Sequence, residues 1–255
     1  MQTWLSDLVG AWIFYSILPA PKGLKPSFKS IARFAPLIGI ILGSIQSALW
    51  IFSNYFGWSY ISSSLIVIAF GAFLTGGIHI DGLMDTFDGL GAGPKRCKEA
   101  MKDSRIGASG IQALLIIILM QIASLISLGE MAIFALPISS FFGRCAPIWA
   151  IQSFPYLQPN GTSFFHRENR NGIKDFIPAI SILICILMSM IFFSIGLPLQ
   201  IYLLSSIFFG IVLSFAIPEY LGRRLGGHSG DSYGASLVIV ETLILTIMGF
   251  TLKIV

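Results

Sequence analysis

Apolar residues in this chain fall into long runs separated by shorter polar stretches, and the run lengths predict membrane-crossing helices. A helix needs roughly 20 consecutive apolar residues to cross a hydrocarbon layer about 30 Å thick. Residues 34–56, 60–80, 109–128, 131–152, 176–195 and 233–252 meet that requirement, and 198–217 meets it after Pro198. The opening stretch, 4–18, is shorter and contains Asp7, so it either spans or lies along the interface. The pattern predicts an all-α, polytopic transmembrane helix bundle of about 7–8 membrane segments with long cytoplasmic loops. It forms a single integral-membrane domain over residues 1–255, without internal repeats. Gly39 and Gly43 form a GxxxG pair that would let two helices approach closely.

Composition narrows the class. Hydrophobic residues make up 55% of the 255 and charged residues 11%, against about 25% charged in soluble domains. A water-soluble globule is excluded, and so much apolar content excludes disorder. The net charge of +4 is explained by where the cations lie. Lys22, Lys25, Lys29 and Arg33 share one loop; Lys95, Arg96, Lys98, Lys102 and Arg105 share the next; Arg167, Arg170 and Lys174 a third; Arg223 and Arg224 a fourth. The alternate loops, near Gly57, Gly129 and Gly196, are short and carry no Lys or Arg. This alternation matches the positive-inside rule, so the four charged loops face the cytoplasm. The basic balance is a topology signal and calls for no nucleic-acid partner. Elaborated loops on one face suit an enzyme acting on cytoplasmic substrates better than a structural membrane protein.

Cys97, Cys145 and Cys185 have neither the pairing nor the spacing of a disulfide or zinc site. The N-terminus lacks a basic n-region and a small-residue cleavage site, so it does not read as a signal peptide.

Chemistry concentrates after the second long run. Asp81, Asp85 and Asp88 recur at i, i+4 and i+7, which places them on one helical stripe about 10 Å long. Like charges so spaced destabilise a helix by roughly a few tenths of a kcal/mol per pair, and desolvation in a bilayer adds up to about 3 kcal/mol each. A divalent cation offsets both costs, and carboxylate oxygens favour Mg²⁺ or Mn²⁺. Gly89, Gly91 and Gly93 free the backbone to approach a ligand, and the following Lys and Arg residues suit a phosphate or pyrophosphate. Asp103 lies inside that basic run and could also cap the next helix. A second cluster, Gly222-Arg223-Arg224-Leu225-Gly226-Gly227-His228-Ser229-Gly230-Asp231, resembles an anion cradle at a helix start. Arg144 and Glu241 fall within apolar runs and are expected to pair. His79, opposite the stripe, reads as a hydrogen-bonded structural histidine. His166, Arg167 and Arg170 read as ordinary loop residues, and Asp175, Glu130, Glu168 and Glu99 as solvated loop charges.

Three segments in order, GGIHIDGLMDTFDGLG, MKDSRIGASG and GGHSGDSYGA, resemble the cobalamin synthase family, the adenosylcobinamide-GDP ribazoletransferases. The opening ILPAPKGLKPSFKSIARFAPLIGIILG is similar to that family's N-terminal region, so the resemblance covers nearly the whole chain. It implies a multi-pass enzyme of a prokaryotic plasma (inner) membrane, with its active site facing the cytoplasm. Its partners would be adenosylcobinamide-GDP, α-ribazole or α-ribazole 5′-phosphate, and the lipid bilayer, with room left for a homo-oligomer. The implied reaction is Mg²⁺-dependent transfer that releases GMP. Asp85-Thr86-Phe87-Asp88-Gly89 is also similar to the start of the DxxDG motif of CDP-alcohol phosphotransferases, but the rest of that motif is missing.

These residues define the expected site. Asp81, Asp85 and Asp88 are the metal ligands, and Asp85 or Asp88 takes the acceptor proton. Asp103, Arg105, Arg223, Arg224 and Asp231 contact substrate or phosphate, with Asp81, Asp103 and Asp231 also candidates to complete a second metal position. A prenyltransferase usually carries two aspartate-rich motifs, and one dense cluster is present. A secondary transporter favours broken helices and a midplane site.

Overall fold

The computed structural model describes residues 4–20, 22–157, 161, 163–193 and 196–252. Among them every named element is helical, and the one β-type feature is an isolated parallel bridge between Tyr156 and His228. The chain runs through α1 (Trp4–Tyr15), α2 (Ala35–Tyr55), α3 (Tyr60–Leu74), α4 (Ile78–Gly91), α5 (Cys97–Ala100) and α6 (Ala108–Leu128). It continues through α7 (Ala132–Ser153), α8 (Phe164–Glu168), α9 (Ile177–Phe192), α10 (Leu197–Leu225) and α11 (Gly230–Thr251). The expected end of the 176–195 run lies outside the described residues.

Local chemistry sets the boundaries. The Ser59 side chain accepts the Ser62 amide to start α3, and Ser229 and Ser232 cap each other reciprocally to start α11. Gly226 adopts φ 76° to end α10. Helices α7 and α11 form the centre, where Phe141, Phe142, Ala146, Val240, Ile244 and Met248 pack with Trp50 of α2 and Tyr202 of α10. The GxxxG expectation is met: a Cβ at Gly43 would lie 2.6 Å from the Leu136 carbonyl oxygen, so glycine is what brings α2 against α7.

Five helical stretches are long and apolar enough to cross a membrane: Ile31–Tyr55, Ala108–Ser153, Gly172–Phe192, Leu197–Leu225 and Gly230–Thr251. The bent pair α3 and α4 brings the number to six, slightly below the sequence expectation. Three features account for the difference. With 12 residues, α1 is about 18 Å long, too short to cross. The 60–80 run is not straight: Gly76 (φ 63°) and Gly77 (φ 75°) turn α4 by 91° from α3. The 46-residue stretch Ala108–Ser153 contains two arms split at Gly129 (φ 54°). Contacts Gln121–Thr242 and Ser124–Thr246 make α6 parallel to α11, whereas Ser140–Glu241 and Gly143–Leu237 fit an antiparallel α7.

Buried charge is paired. Asp7 accepts from Arg33 at 2.8 Å and from Ser27 at 2.6 Å, holding α1 to the chain entering α2. Arg144 Nη1 and Glu241 Oε2 lie 3.9 Å apart, as expected, and Ser140 donates to Glu241 at 2.7 Å. Asp175 corrects the sequence reading. It is buried, accepting from Gln152 and from the Asn171 amide, both at 2.8 Å, because it closes the turn into α9.

Candidate active site

The site forms where α4 crosses the starting ends of α6 and α11. Gly82 and Gly234 permit the crossing: a Cβ at Gly82 would lie 2.6 Å from the Asp231 carbonyl oxygen, and one at Gly234 would lie 3.2 Å from His79 Cα. Because α4 is continuous from Ile78 to Gly91, Asp81, Asp85 and Asp88 share one face as the spacing predicted. They line a cleft of about 350 Å³ together with Lys102, Asp103 and Arg105. Asp85 lies in the combined field of Asp81, Asp231 and Asp88. Among the described residues none of these four carboxylates belongs to an ion pair.

Each carboxylate has a different environment. Asp88 accepts the Gly107 and Gly110 amides, each at 2.8 Å, one on each oxygen. It thereby caps α6 from a neighbouring helix, and the glycines are required because a Cβ at either would run into its carboxylate. Asp231, in the first turn of α11, accepts from Ser229 Oγ at 3.1 Å. Asp103 is gripped by Arg105, whose side chain and amide all donate to it, and these hydrogen bonds pull its carboxyl down to about 2. Arg105 is therefore paired within its own loop. Arg223 and Arg224 are not brought to the aspartate cleft. They line a separate basic groove of about 410 Å³ with Lys95 and Lys98, and Arg223 is paired with Glu219 at 2.8 Å.

The donor set fits a hard divalent cation in kind and in charge, since carboxylate oxygens gather without a basic partner. Among the described residues no three His, Cys, Asp or Glu side chains converge on one metal position. Asp81, Asp85 and Asp88, expected to ligate metal together, therefore do not converge on one position here.

A second cavity, about 330 Å³, adjoins the cleft through Asp81 and is lined by Tyr15, His79, Arg144, His166, Asp231 and Tyr233. Sequence reading missed Tyr15 and Tyr233, which carry no periodic or motif signal in their apolar surroundings, and treated His166 as an ordinary loop residue. Among the described residues the buried Nε2 of His79 has no hydrogen-bond partner, contrary to the expectation of a hydrogen-bonded histidine. Burial keeps His166 neutral, its pKa lowered to about 3. Arg167 donates to the Ile151 and Gln152 carbonyls and so closes the end of α7, as a structural residue.

Fold and site together define a multi-pass α-helical membrane enzyme whose carboxylate cleft opens at one end of the bundle. The profile of the Cobalamin-5-phosphate synthase family matches residues 7–249, and the chain belongs to that family. The adenosylcobinamide-GDP ribazoletransferase of Prochlorococcus marinus (strain MIT 9313) is 53% identical over 252 residues, covering 98% of this chain and 97% of the relative. The proteins of the same name from Thermosynechococcus vestitus (strain NIES-2133 / IAM M-273 / BP-1) and Trichormus variabilis (strain ATCC 29413 / PCC 7937) are 36% and 33% identical, each covering 96% of both chains. No solved structure matches the chain.

Proposed function

We propose that the protein joins adenosylcobinamide-GDP to α-ribazole, or to its 5′-phosphate, giving adenosylcobalamin or adenosylcobalamin 5′-phosphate and GMP. The observation that carries the proposal is the cleft in which Asp81, Asp85 and Asp88, without an ion-pair partner among the described residues, lie with Lys102 and Arg105, while Asp231 adds its field at Asp85. The relatives' shared name supplies the substrates.

The acceptor's ribose hydroxyl oxygen forms a bond to the cobinamide-side phosphorus of the diphosphate. The bond from that phosphorus to the bridging oxygen breaks, and GMP departs with the oxygen. The hydroxyl proton passes to a carboxylate. Asp85 is best suited to receive it, because Asp88 already spends both oxygens on amides. Asp81 and Asp85 would hold Mg²⁺, with Mn²⁺ as a substitute, and the ion would supply charge neutralisation at the diphosphate. Lys102 and Arg105, which line the same cleft, would contact the phosphates, Arg105 by exchanging Asp103 for a phosphate oxygen. Arg224 with Lys95 and Lys98 offers a second, cationic contact for an anion in the separate groove. The membrane would be a bacterial plasma membrane, with the cleft on the cytoplasmic side where the Lys- and Arg-rich loops gather.

The test is GMP release by protein in nanodiscs given both substrates and Mg²⁺. Asp85→Asn should lower turnover by about 10²-fold or more. Unchanged turnover would remove Asp85 from the chemistry.

A further inference from the structure

Four polar atoms around the 330 Å³ cavity are buried without a hydrogen-bond partner among the described residues: His79 Nε2, His166 Nδ1, Tyr233 Oη and Arg144 Nε. Their residues are 8%, 6%, 6% and 2% exposed, so bulk water does not satisfy them. An orphaned buried polar group costs about 1–3 kcal/mol, and four around one cavity indicate a ligand that pairs with them. The rings share an orientation: Tyr15 stacks with His166 at 18° and with His79 at 29°, both at 6.4 Å. Phe14 closes the wall against Phe165 and His166.

Size and charge select the occupant. The volume lies at the lower end of the about 300–1,000 Å³ typical of ligand pockets, enough for a nucleoside and too small for a corrinoid. Asp81 stands where the cavity meets the aspartate cleft and Asp231 lines the cavity beside it; both would repel a diphosphate entering alone, but not an uncharged ribose. We infer that this cavity is the acceptor pocket, binding the flat aromatic base of the nucleoside among Tyr15, His79, His166 and Tyr233 and directing its ribose hydroxyl past Asp81 and Asp231 into the cleft. The inference rests on the function proposed above and adds which substrate enters where. His79, His166 and Tyr233 are positioning residues, because the reacting atoms lie beyond them.

The test measures KM for each substrate in nanodiscs for Tyr233→Phe and His166→Phe, with Tyr202→Phe as a control. Tyr202 also buries an unpartnered hydroxyl, but outside this cavity. Tyr233→Phe and His166→Phe should raise KM for α-ribazole tenfold or more and leave KM for adenosylcobinamide-GDP unchanged. Tyr202→Phe should move neither. In parallel, α-ribazole alone should raise the melting temperature of the wild type but not of the two cavity variants. An unchanged acceptor KM, or a rise confined to adenosylcobinamide-GDP, overturns the assignment and in the second case makes the cavity a guanine site. If the wild type binds α-ribazole but releases no GMP from the pair of substrates, the proposed reaction fails while the pocket stands.

Discussion

Asp85 and Asp88 lie three residues apart on one helical face, yet they do different work. Asp88 holds the Gly107 and Gly110 amides at the start of α6, whereas Asp85 faces other carboxylates. Asp88→Asn replaces one acceptor oxygen with an NH₂ group pointing at an amide donor. It should destabilise the protein by about 1 kcal/mol, the usual cost of a lost helix cap, seen as a lower melting temperature. Asp85→Asn removes a like charge and should not lower the melting temperature, even though it lowers turnover. Equal destabilisation by the two variants would contradict this division. Buried histidines add a pH dependence. His166 and His228 are lowered by burial to about 3 and about 4. The unfolded chain takes up their protons below about pH 6.5, and the folded chain does not. Stability is therefore full above that pH and falls as pH drops towards the folded values, by about 1 kcal/mol per pH unit per histidine. A melting temperature that stays flat from pH 7.5 to 5.5 would contradict it, and His166→Phe should reduce the slope.

At the scale of elements, α4 depends on its neighbours. Its aspartate stripe was legible in the sequence because helical periodicity alone puts i, i+4 and i+7 on one face. Its angle was not, because the 91° bend depends on Gly76 and Gly77 adopting positive φ inside an otherwise continuous apolar run. The capping of α6 by Asp88 was equally hidden, since its partners lie 19 and 22 residues further on. Close contact between α4 and α11 rests on Gly82. Gly82→Val would push its side chain onto the Asp231 backbone, which cannot rotate away. The overpacking should cost about 1–3 kcal/mol and suppress GMP release by moving the stripe away from Asp231. Gly196→Ala, with open space around the added methyl and no positive φ, should leave the melting temperature and turnover unchanged. If it lowers them as much as Gly82→Val does, the close approach of α4 is not the cause.

Across the whole molecule, the topology makes one further prediction. Cys97 lies in α5, between the acidic stripe and α6, and is part-exposed. In a variant with Cys145→Ala and Cys185→Ala, a membrane-impermeant maleimide should label Cys97 in inverted vesicles and not in right-side-out ones. The reverse pattern would place the cleft outside the cell. The class of protein and the aspartate stripe were determined by the sequence alone, and the basic loops carry the expected orientation that the labelling tests. Hydropathy, charge asymmetry and helical period are properties of neighbouring residues, and they hold before any helix meets another. Tertiary structure alone decided that Asp88 is a cap, that Arg223 and Arg224 face a different groove, and that Tyr15, His79, Arg144, His166 and Tyr233 enclose one cavity. Those residues come from helices spread between positions 15 and 233, and only the packing of α1, α4, α7, α8 and α11 brings their polar atoms together away from water.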